Sequence, residues 1–291
     1  MITSMQNTAT APRSFSPARG TIRVAYTPDS DDAFNYYAWE HGRVTLEGFR
    51  AGFERGHIRA LNAAAEQGAY DVVGVSSAVA PFLGDRYWIL SVGNSVGRGY
   101  GPVLVSKHYE RIEELRSRRI AVAGRCTTGG ALAMMYCPGA RFVELPYDQI
   151  ADAVVAEEFD AGVMIHEELL YFPQKGLRRV CDLGALWSQD TGLPLPVGLN
   201  LVKKDLGRPV ARAIADTCER SLRWALEHFD EAFAYANRFG RGCAGDHIAL
   251  FSNEDTLCLP ADAREAISVM FHRIAILGLG PAVEPMEIID A

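Results

Sequence analysis

Short apolar runs alternate with amphipathic segments along most of this chain. The segment at 58–67 has the apolar spacing of a helix and ends at Gly68, and the run at 70–76 is apolar throughout, as in a strand buried on both faces. A strand, a helix and a second strand in succession predict a parallel β-α-β unit. The predicted strands of this first part lie at residues 21–26, 70–76, 88–92 and 102–106.

The same rhythm returns farther along the chain. A charged amphipathic helix is predicted at 111–118, followed by alternating strands and helices. The strands are predicted at 119–123, 141–145 and 162–165, and the helices at 128–136 and 149–158. A segment with two prolines at 192–196 then leads into another apolar strand at 197–202. Helices are predicted for the remainder, at 211–229, 231–238, 246–251 and 261–277.

These patterns predict an α/β protein with two lobes. A chain of 291 residues exceeds the usual size of a single core, and the two α/β series are joined by two crossings, at the glycine-rich segment 97–101 and at the proline segment. Two crossings predict a hinge. We expect a disordered leader at 1–20, a first lobe from 21–104 and 201–291, and a second lobe from 105–200.

Charge and cysteine usage narrow the class of partner. The net charge of −7 without a basic block disfavours nucleic acid and anionic membranes as partners and favours a small molecule. Six scattered cysteines without a CxxC pair favour reduced thiols in the cytoplasm over a disulfide framework or zinc site, although disulfide pairing stays open. The leader lacks an apolar core, and no apolar run reaches the ~18–20 residues of a membrane span, so we expect a cytoplasmic protein.

Three carboxylates follow the first predicted strand, at Asp29, Asp31 and Asp32, just before a helix expected to start near Ala33. A helix N-terminus attracts negative charge, so capping explains one of them. The EF-hand spacing and its distal glutamate are absent, which places ligand contact ahead of metal binding. Asp32 is the candidate for a functional role.

Two small-residue loops can approach a ligand closely. In the segment 97–101, glycines precede a strand rather than open a helix, which favours a hinge loop over a dinucleotide site; Arg98 can grip a carboxylate or simply face solvent. In the segment 124–130, Thr127 and Thr128 stand between a strand and a helix, where free amides and hydroxyls bind anions or cap the helix. Cys126 has no acid–base partner nearby and is expected to be a small buried thiol.

An apolar strand ends at His166, which is followed by Glu167. Ligands of open α/β sheets bind beyond the carboxyl ends of strands, so this is the place for a general base. A structural histidine is the alternative. The HExxH zinc signature fails, because Leu170 stands four residues after His166.

Several motifs together resemble one enzyme family, the 1,4-dihydroxy-6-naphthoate synthases of the futalosine menaquinone pathway and, more distantly, the chorismate dehydratases. The resemblance extends from about residue 22 to 207. Its most specific part is Ala161-Gly-Val-Met-Ile-His166-Glu167, with Thr191-Gly-Leu-Pro-Leu-Pro196 after it. The other matches are the 28–34 turn, Leu61-Asn62, Tyr70-Asp71-Val72 with Ser76, Gly97-Arg-Gly-Tyr-Gly-Pro102 and Gly124-Arg-Cys-Thr-Thr128.

The resemblance implies a periplasmic-binding-protein-like type II fold with the ligand cleft between its lobes. It also implies a carbon–carbon lyase that opens cyclic dehypoxanthinyl futalosine, a small acidic substrate, to 1,4-dihydroxy-6-naphthoate and dihydroxyacetone without metal or organic cofactor. The base would be His166. The substrate-binding residues would be Asp32, Asn62, Ser76, Arg98, Thr127 and Thr128. The protein would be a monomer or a homodimer.

Two departures from the family pattern leave alternatives open. Cys126 replaces a histidine of the family loop, and Asp29 and Asp31 stand where some members have cysteine and asparagine. Added negative charge is unfavourable near an acidic substrate unless it bonds to hydroxyls. A non-catalytic small-acid-binding protein, or a paralogue such as a chorismate dehydratase acting on another carboxylated ring, is therefore the alternative.

Overall fold

A computed structural model describes residues 20–291 and contains two mixed β-sheets flanked by helices, which confirms the two-lobed α/β prediction. The predicted leader lies outside the described residues, except for Gly20, which begins the first strand. The strands are β1 (Gly20–Tyr26), β2 (Phe49–Arg55), β3 (Val72–Ser76), β4 (Tyr87–Leu90), β5 (Ser95–Gly97), β6 (Val103–Ser106), β7 (Arg119–Val122), β8 (Arg141–Glu144), β9 (Ala161–Met164), β10 (Arg178–Asp182), β11 (Leu195–Lys203) and β12 (Ile288–Ile289).

The helices lie on both sheets and fill the C-terminal part of the chain. They are α1 (Ser30–Glu40), α2 (Ile58–Glu66), α3 (Thr128–Tyr136), α4 (Tyr147–Val155), α5 (Glu168–Tyr171), α6 (Leu183–Thr191), α7 (Arg208–Glu227), α8 (Phe229–Ala236), α9 (Ala244–Phe251), α10 (Glu254–Leu257) and α11 (Ala261–Ile276). Within residues 20–291, no helix has both the length and the apolar character needed to cross a bilayer.

The first sheet has seven strands in the order β12-β4-β11-β3-β1-β2, with β5 paired to β11. The pairs of β1 with β2 and with β3 are parallel, as the β-α-β rhythm predicts, whereas β11 runs antiparallel to β3. Helix α1 lies against this sheet and packs on α7, α8 and α9, which bury most of its residues. The acidic turn at its N-terminus is therefore carried into the interior of the protein.

The second sheet has the order β10-β6-β9-β7-β8, with β7 parallel to β8 and β9, and β6 antiparallel to β9. Strand β9 lies in the middle of this sheet, and all four of its residues are buried. The carboxyl end of β9 therefore lies at the middle of one edge of the sheet. The residue that follows it, Ile165, leads into the segment with His166.

The chain crosses between the sheets along two adjacent segments. Gly97, at the end of β5, pairs with Leu195 at the start of β11, so the two crossings share a short antiparallel ladder. A Cβ at Gly97 would lie 2.0 Å from the backbone oxygen of Tyr100, so this position at the end of β5 requires glycine. Hinge bending at these crossings, and lobe boundaries at 104/105 and 200/201, stay predictions.

Differences from the predicted elements concern segments with weak patterns. The predicted helix at 111–118 is wrong: only a 3₁₀ turn, Ile112–Leu115, forms there, since one buried residue, Leu115, is too little to hold a longer amphipathic helix. Helix α1 begins at Ser30 rather than near Ala33. Strand β2 was not predicted, because this edge strand is largely exposed and lacks an apolar run.

Candidate functional site

A cleft of about 700 Å³, part of it open to solvent, separates the two sheets. The first-sheet side contributes mostly polar groups, and the second-sheet side contributes the N-terminus of α3 and the segment after β9. No lysine or arginine of the described chain lines it. The lining residues are Thr27, Asp29, Asp31, Asp32, Ile58, Gly74, Val75, Ser76, Gly93, Ser95, Pro102, Thr127, Thr128, Gly129, Ile165, His166, Leu169, Val197, Gly198, Leu199, Asn200, His247 and Phe251.

His166 projects from the end of β9 toward the acidic turn of the other lobe. Its Nδ1 lies 2.7 Å from Oδ2 of Asp29, and the side chains are 15% and 4% exposed. Its Nε2 is buried without a hydrogen-bond partner among the described residues. The backbone of His166 is left-handed, with φ of 52°, a strained conformation for a residue with a side chain. With this backbone conformation just after β9, the ring contacts Asp29 across the cleft.

The surroundings keep this imidazole neutral. Burial lowers the pKa of His166 to about 4, although the charges of Glu167 and Asp31 act in the opposite direction. Burial and the neighbouring Asp31, Asp32 and Glu167 raise the pKa of Asp29 well above its ordinary value. A neutral histidine that gives its Nδ1 hydrogen to a carboxylate has a free electron pair on Nε2, which is the arrangement of a general base.

The Thr27 hydroxyl lies between two carboxylates of the acidic turn. Its Oγ1 is 2.7 Å from Oδ2 of Asp29 and 2.6 Å from Oδ2 of Asp32, yet a hydroxyl has a single proton to donate. Both contacts are hydrogen bonds only when one carboxyl holds a proton. Desolvation in the cleft and the charge of Asp31 raise the pKa of Asp32 to about 7, against the hydrogen bonds from Thr27, which lower it.

The D32N substitution should stabilise the protein increasingly as the pH rises from 5 to 8. Asp32 has a higher pKa when folded than when unfolded, so the folded state binds more protons and loses stability as the pH rises through this interval up to about 7. Asparagine removes this loss, with a gain on the order of 1 kcal/mol at pH 8. Urea unfolding of variant and wild type at both pH values measures it; an equal difference at pH 5 and pH 8 would contradict it.

The N-terminus of α1 binds a carboxylate from the second lobe. The backbone N–H and the hydroxyl of Ser30 both donate to Oε1 of Glu167, at 2.8 and 2.7 Å. Both residues are buried, and charge-assisted bonds to a helix N-terminus are favourable. Together with the Asp29–His166 contact, this bond joins the lobes directly at the cleft. The cleft is therefore closed, with Asp29 and Ser30 of one lobe in contact with His166 and Glu167 of the other.

A second aspartate–histidine pair lies on the same turn. His247 of α9 has its Nε2 3.1 Å from Oδ1 of Asp31, and both side chains are more than 90% buried. Burial raises the pKa of Asp31, but the charge and hydrogen bond of His247 lower it more, and the net pKa lies below its ordinary value. Burial lowers the pKa of His247, yet Asp31, Glu167 and Asp32 raise it above normal overall. The contact therefore favours the charged form of both residues.

The N-terminus of α3 faces the cleft from the second lobe. Thr127 caps this helix, as predicted, with its hydroxyl accepting from the N–H of Gly130 at 3.1 Å. The hydroxyl of Thr128 donates to the carbonyl of Val197 in β11, at 2.7 Å, and so links α3 to a strand of the first sheet. Cys126 is only partly buried and does not line the cleft, and burial raises the pKa of its thiol, which opposes a nucleophilic role.

Two predicted substrate contacts do not reach the cleft. Arg98 forms paired bonds to Asp255 (2.6 and 2.8 Å) and Asp262 (2.9 and 3.3 Å), so its guanidinium is engaged by carboxylates of the protein itself. Asn62 lies behind the wall, where its side chain holds Ser76 through the Ser76 N–H (3.0 Å) and hydroxyl (3.3 Å). Its role is to orient Ser76, which lines the cleft.

A metal ion is one possible occupant of the acidic turn, because ligand atoms of Asp29, Asp31 and His247 lie within 4.8 Å of one another. Their contacts are those of a hydrogen-bond network instead. Asp31 pairs with His247, and Asp29 pairs with His166 and Thr27. These contacts join both histidines to the acidic turn.

The sequence patterns did not identify His247, Asn200 or Ser95 as lining residues. No motif surrounds His247, which lies on a predicted helix far along the chain, and only packing of α9 against α1 brings it to the turn. Asp29 and Asp31 stood out in the sequence only as unusual charges. The available signal for a partner such as His247 was the group of three acids within four residues, because buried carboxylates require groups that compensate their charge.

Comparison with known proteins identifies relatives over almost the whole chain. A family model described as menaquinone biosynthesis matches residues 22–275. The chain is 34% identical to the 1,4-dihydroxy-6-naphthoate synthase of Thermus thermophilus over 274 residues, covering 91% of this chain and 98% of that protein. It is 33% identical to the enzyme of the same name from Streptomyces coelicolor, covering 91% of this chain and 96% of that protein.

Solved structures share the fold. The crystal structure of protein AF1704 from Archaeoglobus fulgidus superposes with a TM-score of 0.83 at 38% identity, covering 89% of this chain and 98% of that one. The alkanesulfonate-binding protein SsuA from Xanthomonas axonopodis pv. citri, bound to MOPS, superposes with a TM-score of 0.72 at 12% identity, covering 95% of this chain and all of that one. The second likeness confirms the periplasmic-binding-protein-like architecture.

Proposed function

This chain belongs to the menaquinone biosynthesis family, and from that membership we propose that it is a carbon–carbon lyase acting on cyclic dehypoxanthinyl futalosine. The products are 1,4-dihydroxy-6-naphthoate and dihydroxyacetone. The similarity to two named synthases, over more than nine-tenths of their lengths, supports this assignment. The observation that carries the mechanism is the neutral, largely buried His166, whose Nδ1 contacts Asp29 and whose Nε2 has no partner among the described residues.

His166 acts as the general base in this proposal. Its Nδ1–H donates to the Asp29 carboxylate, and its Nε2 accepts a proton from a hydroxyl of the substrate. The O–H electron pair becomes a carbonyl bond, the adjacent carbon–carbon bond breaks, and its electrons move onto the carbonyl of the departing ring fragment as an enolate. Protonation and aromatisation of that fragment complete the reaction. No water, oxidant or reductant enters, so protein groups that move protons suffice.

The cleft offers separate places for the charged and reacting parts of the substrate. The capped N-terminus of the nine-residue helix α3, with Thr127 and Thr128, faces the cleft and provides amides and partial positive charge for a carboxylate. Ser76 lies on the opposite wall. Closure of the lobes around these groups excludes water and fixes the reacting atoms close to His166.

The acidic turn is compatible with an acidic substrate because little of its charge is free. Asp31 is paired with His247, and the raised pKa of Asp32 reduces the number of ionised carboxylates beside the ligand. The remaining carboxyl groups can bond to substrate hydroxyls. The proposal includes a cytoplasmic location, which the unpaired cysteines of an acidic chain support.

The purified protein should convert cyclic dehypoxanthinyl futalosine to 1,4-dihydroxy-6-naphthoate and dihydroxyacetone in equal amounts, without added metal or cofactor. Liquid chromatography with mass spectrometry detects both products, and a parallel incubation with chorismate tests the paralogue reading. Tight binding of the substrate without product would overturn the proposal in favour of a binding protein. Turnover of chorismate alone would overturn it in favour of a dehydratase.

A further inference from the structure

Two aspartate–histidine pairs flank the same cleft. Asp29 and Asp31 stand two residues apart on one turn, yet each contacts a histidine from a different part of the fold. His166 comes from the second sheet and His247 from helix α9 beside the first. Both histidines line the cleft, so a bound ligand lies within reach of two imidazole rings.

The two rings differ in what they can do. His166 is neutral and accepts a proton, as argued above. His247 contacts Asp31, whose charge raises the pKa of the ring, and Asp32, Glu167 and His166 are the other ionisable groups that act on it. Two titratable groups at one site whose surroundings shift their pKa values in opposite directions are the usual division between a base and an acid. The structure therefore has a complementary partner for the proposed base.

A buried ion pair can also be purely structural, and one atom argues against that reading. The Nδ1 of His247 is buried without a hydrogen-bond partner among the described residues, although the ring is 2% exposed and lines the cleft. A protonated ring with only one of its two N–H groups satisfied is costly inside a protein. An oxygen of a bound ligand would remove that cost.

We propose that His247 is the general acid of the site, donating from Nδ1 to the ligand oxygen on which negative charge develops, while Asp31 holds the ring in place. This role rests on the proposed function. The proton taken from the substrate hydroxyl goes to Nε2 of His166, and the electrons of the broken carbon–carbon bond reach the carbonyl oxygen of the ring fragment. That oxygen takes the proton of His247. The two rings then exchange protons with solvent to restore the starting state, so charge and atoms balance.

The H247Q substitution separates the acid role from the structural one. Glutamine keeps an N–H that can donate to Asp31, but it has no proton to release and nothing at the Nδ1 position. We expect kcat to fall by roughly 10- to 100-fold with KM changed less than threefold. The alkaline limb of the kcat–pH profile, which reports deprotonation of the acid, should disappear. The exposed His108, changed to glutamine, is the matched control and should leave both quantities unaltered.

Wild type and H247Q are assayed together, so two failures stay distinct. A wild type that makes no naphthoate contradicts the proposed function. A wild type that is active alongside an H247Q variant with unchanged kcat and an intact alkaline limb overturns the role of His247. A loss confined to KM also overturns it, since that result means ground-state recognition rather than proton donation.

The protonation of His247 can also be measured without turnover, whether or not the wild type is active. In the ¹⁵N spectrum of the histidine side chains, assigned with H247Q, His247 should be doubly protonated at pH 7. Addition of 1-hydroxy-2-naphthoate, a carboxylated hydroxynaphthalene, should shift the Nδ1 resonance of that ring. A neutral His247, or a resonance that the probe leaves unchanged, overturns the proposal.

Discussion

The H166A substitution is expected to lower kcat by about 10³–10⁴-fold. Alanine removes the imidazole whose pKa burial lowers, and with it the Nε2 electron pair that takes the substrate proton. The neighbouring carboxyls cannot replace it, since Asp31 is held in its ion pair and Asp29 lies on the far side of the ring. Initial rates of naphthoate formation at saturating substrate measure the effect.

The H166A variant should still bind the product. The carboxylate site at α3 and the wall with Ser76 do not depend on His166, so the affinity for the product should change less than tenfold, as measured by calorimetry. H108A tests for any general effect of losing an exposed imidazole and should retain wild-type kcat. Equal kcat values for H166A and wild type would exclude His166 as the base. Loss of both binding and folding would show a structural role instead.

The sequence predicted the parts of this fold that have strong periodic patterns. The strands β3 and β9 lie where the apolar runs predicted them, because burial on both faces leaves a continuous apolar signal. Two segments with little buried apolar surface were not predicted correctly. Strand β2 has no such run, and the segment at 111–118 has a helical pattern of charges but one buried apolar residue to hold it.

The residues of the site were likewise predicted from the sequence only in part. His166 was predicted from a local rule, that ligands bind at the carboxyl ends of strands, and the structure places it in the cleft. Arg98 was also predicted from a local pattern, as a residue that binds a substrate carboxylate. Its guanidinium is instead engaged by Asp255 and Asp262, from a segment more than 150 residues away. His247 had no local signal. Which charged groups pair with each other is decided by packing between distant elements, and single-sequence patterns do not contain it.

Both lobes must contribute before the site is complete. The proposed base, His166, follows strand β9 of the second sheet, whereas Asp29, which contacts its ring, follows strand β1 of the first. The bond between Ser30 and Glu167 lies directly beside this pair and holds the two lobes at the same point. Opening of the cleft would separate the ring from its carboxylate. Proton abstraction is thereby confined to the closed state, in which water is excluded.

The D29N substitution is therefore expected to lower kcat by about 10²–10³-fold with little change in KM. Asparagine has nearly the same shape, but its amide nitrogen can donate to Nδ1 of His166. The ring then holds its hydrogen on Nε2, where the electron pair is required. Asp29 acts in this way as a positioning residue, since it sets which nitrogen of His166 is free and does not touch the reacting atoms.

Three measurements distinguish this tautomer effect from structural damage. The ¹⁵N spectrum should show hydrogen on Nδ1 of His166 in the wild type and on Nε2 in D29N. The free energy of unfolding of D29N at pH 8 should equal or exceed that of the wild type, because the variant lacks a buried carboxyl whose pKa is raised. D152N, at an exposed aspartate of α4, is the matched control and should keep full kcat. Wild-type turnover by D29N would show that His166 finds its reactive tautomer without the carboxylate of the other lobe.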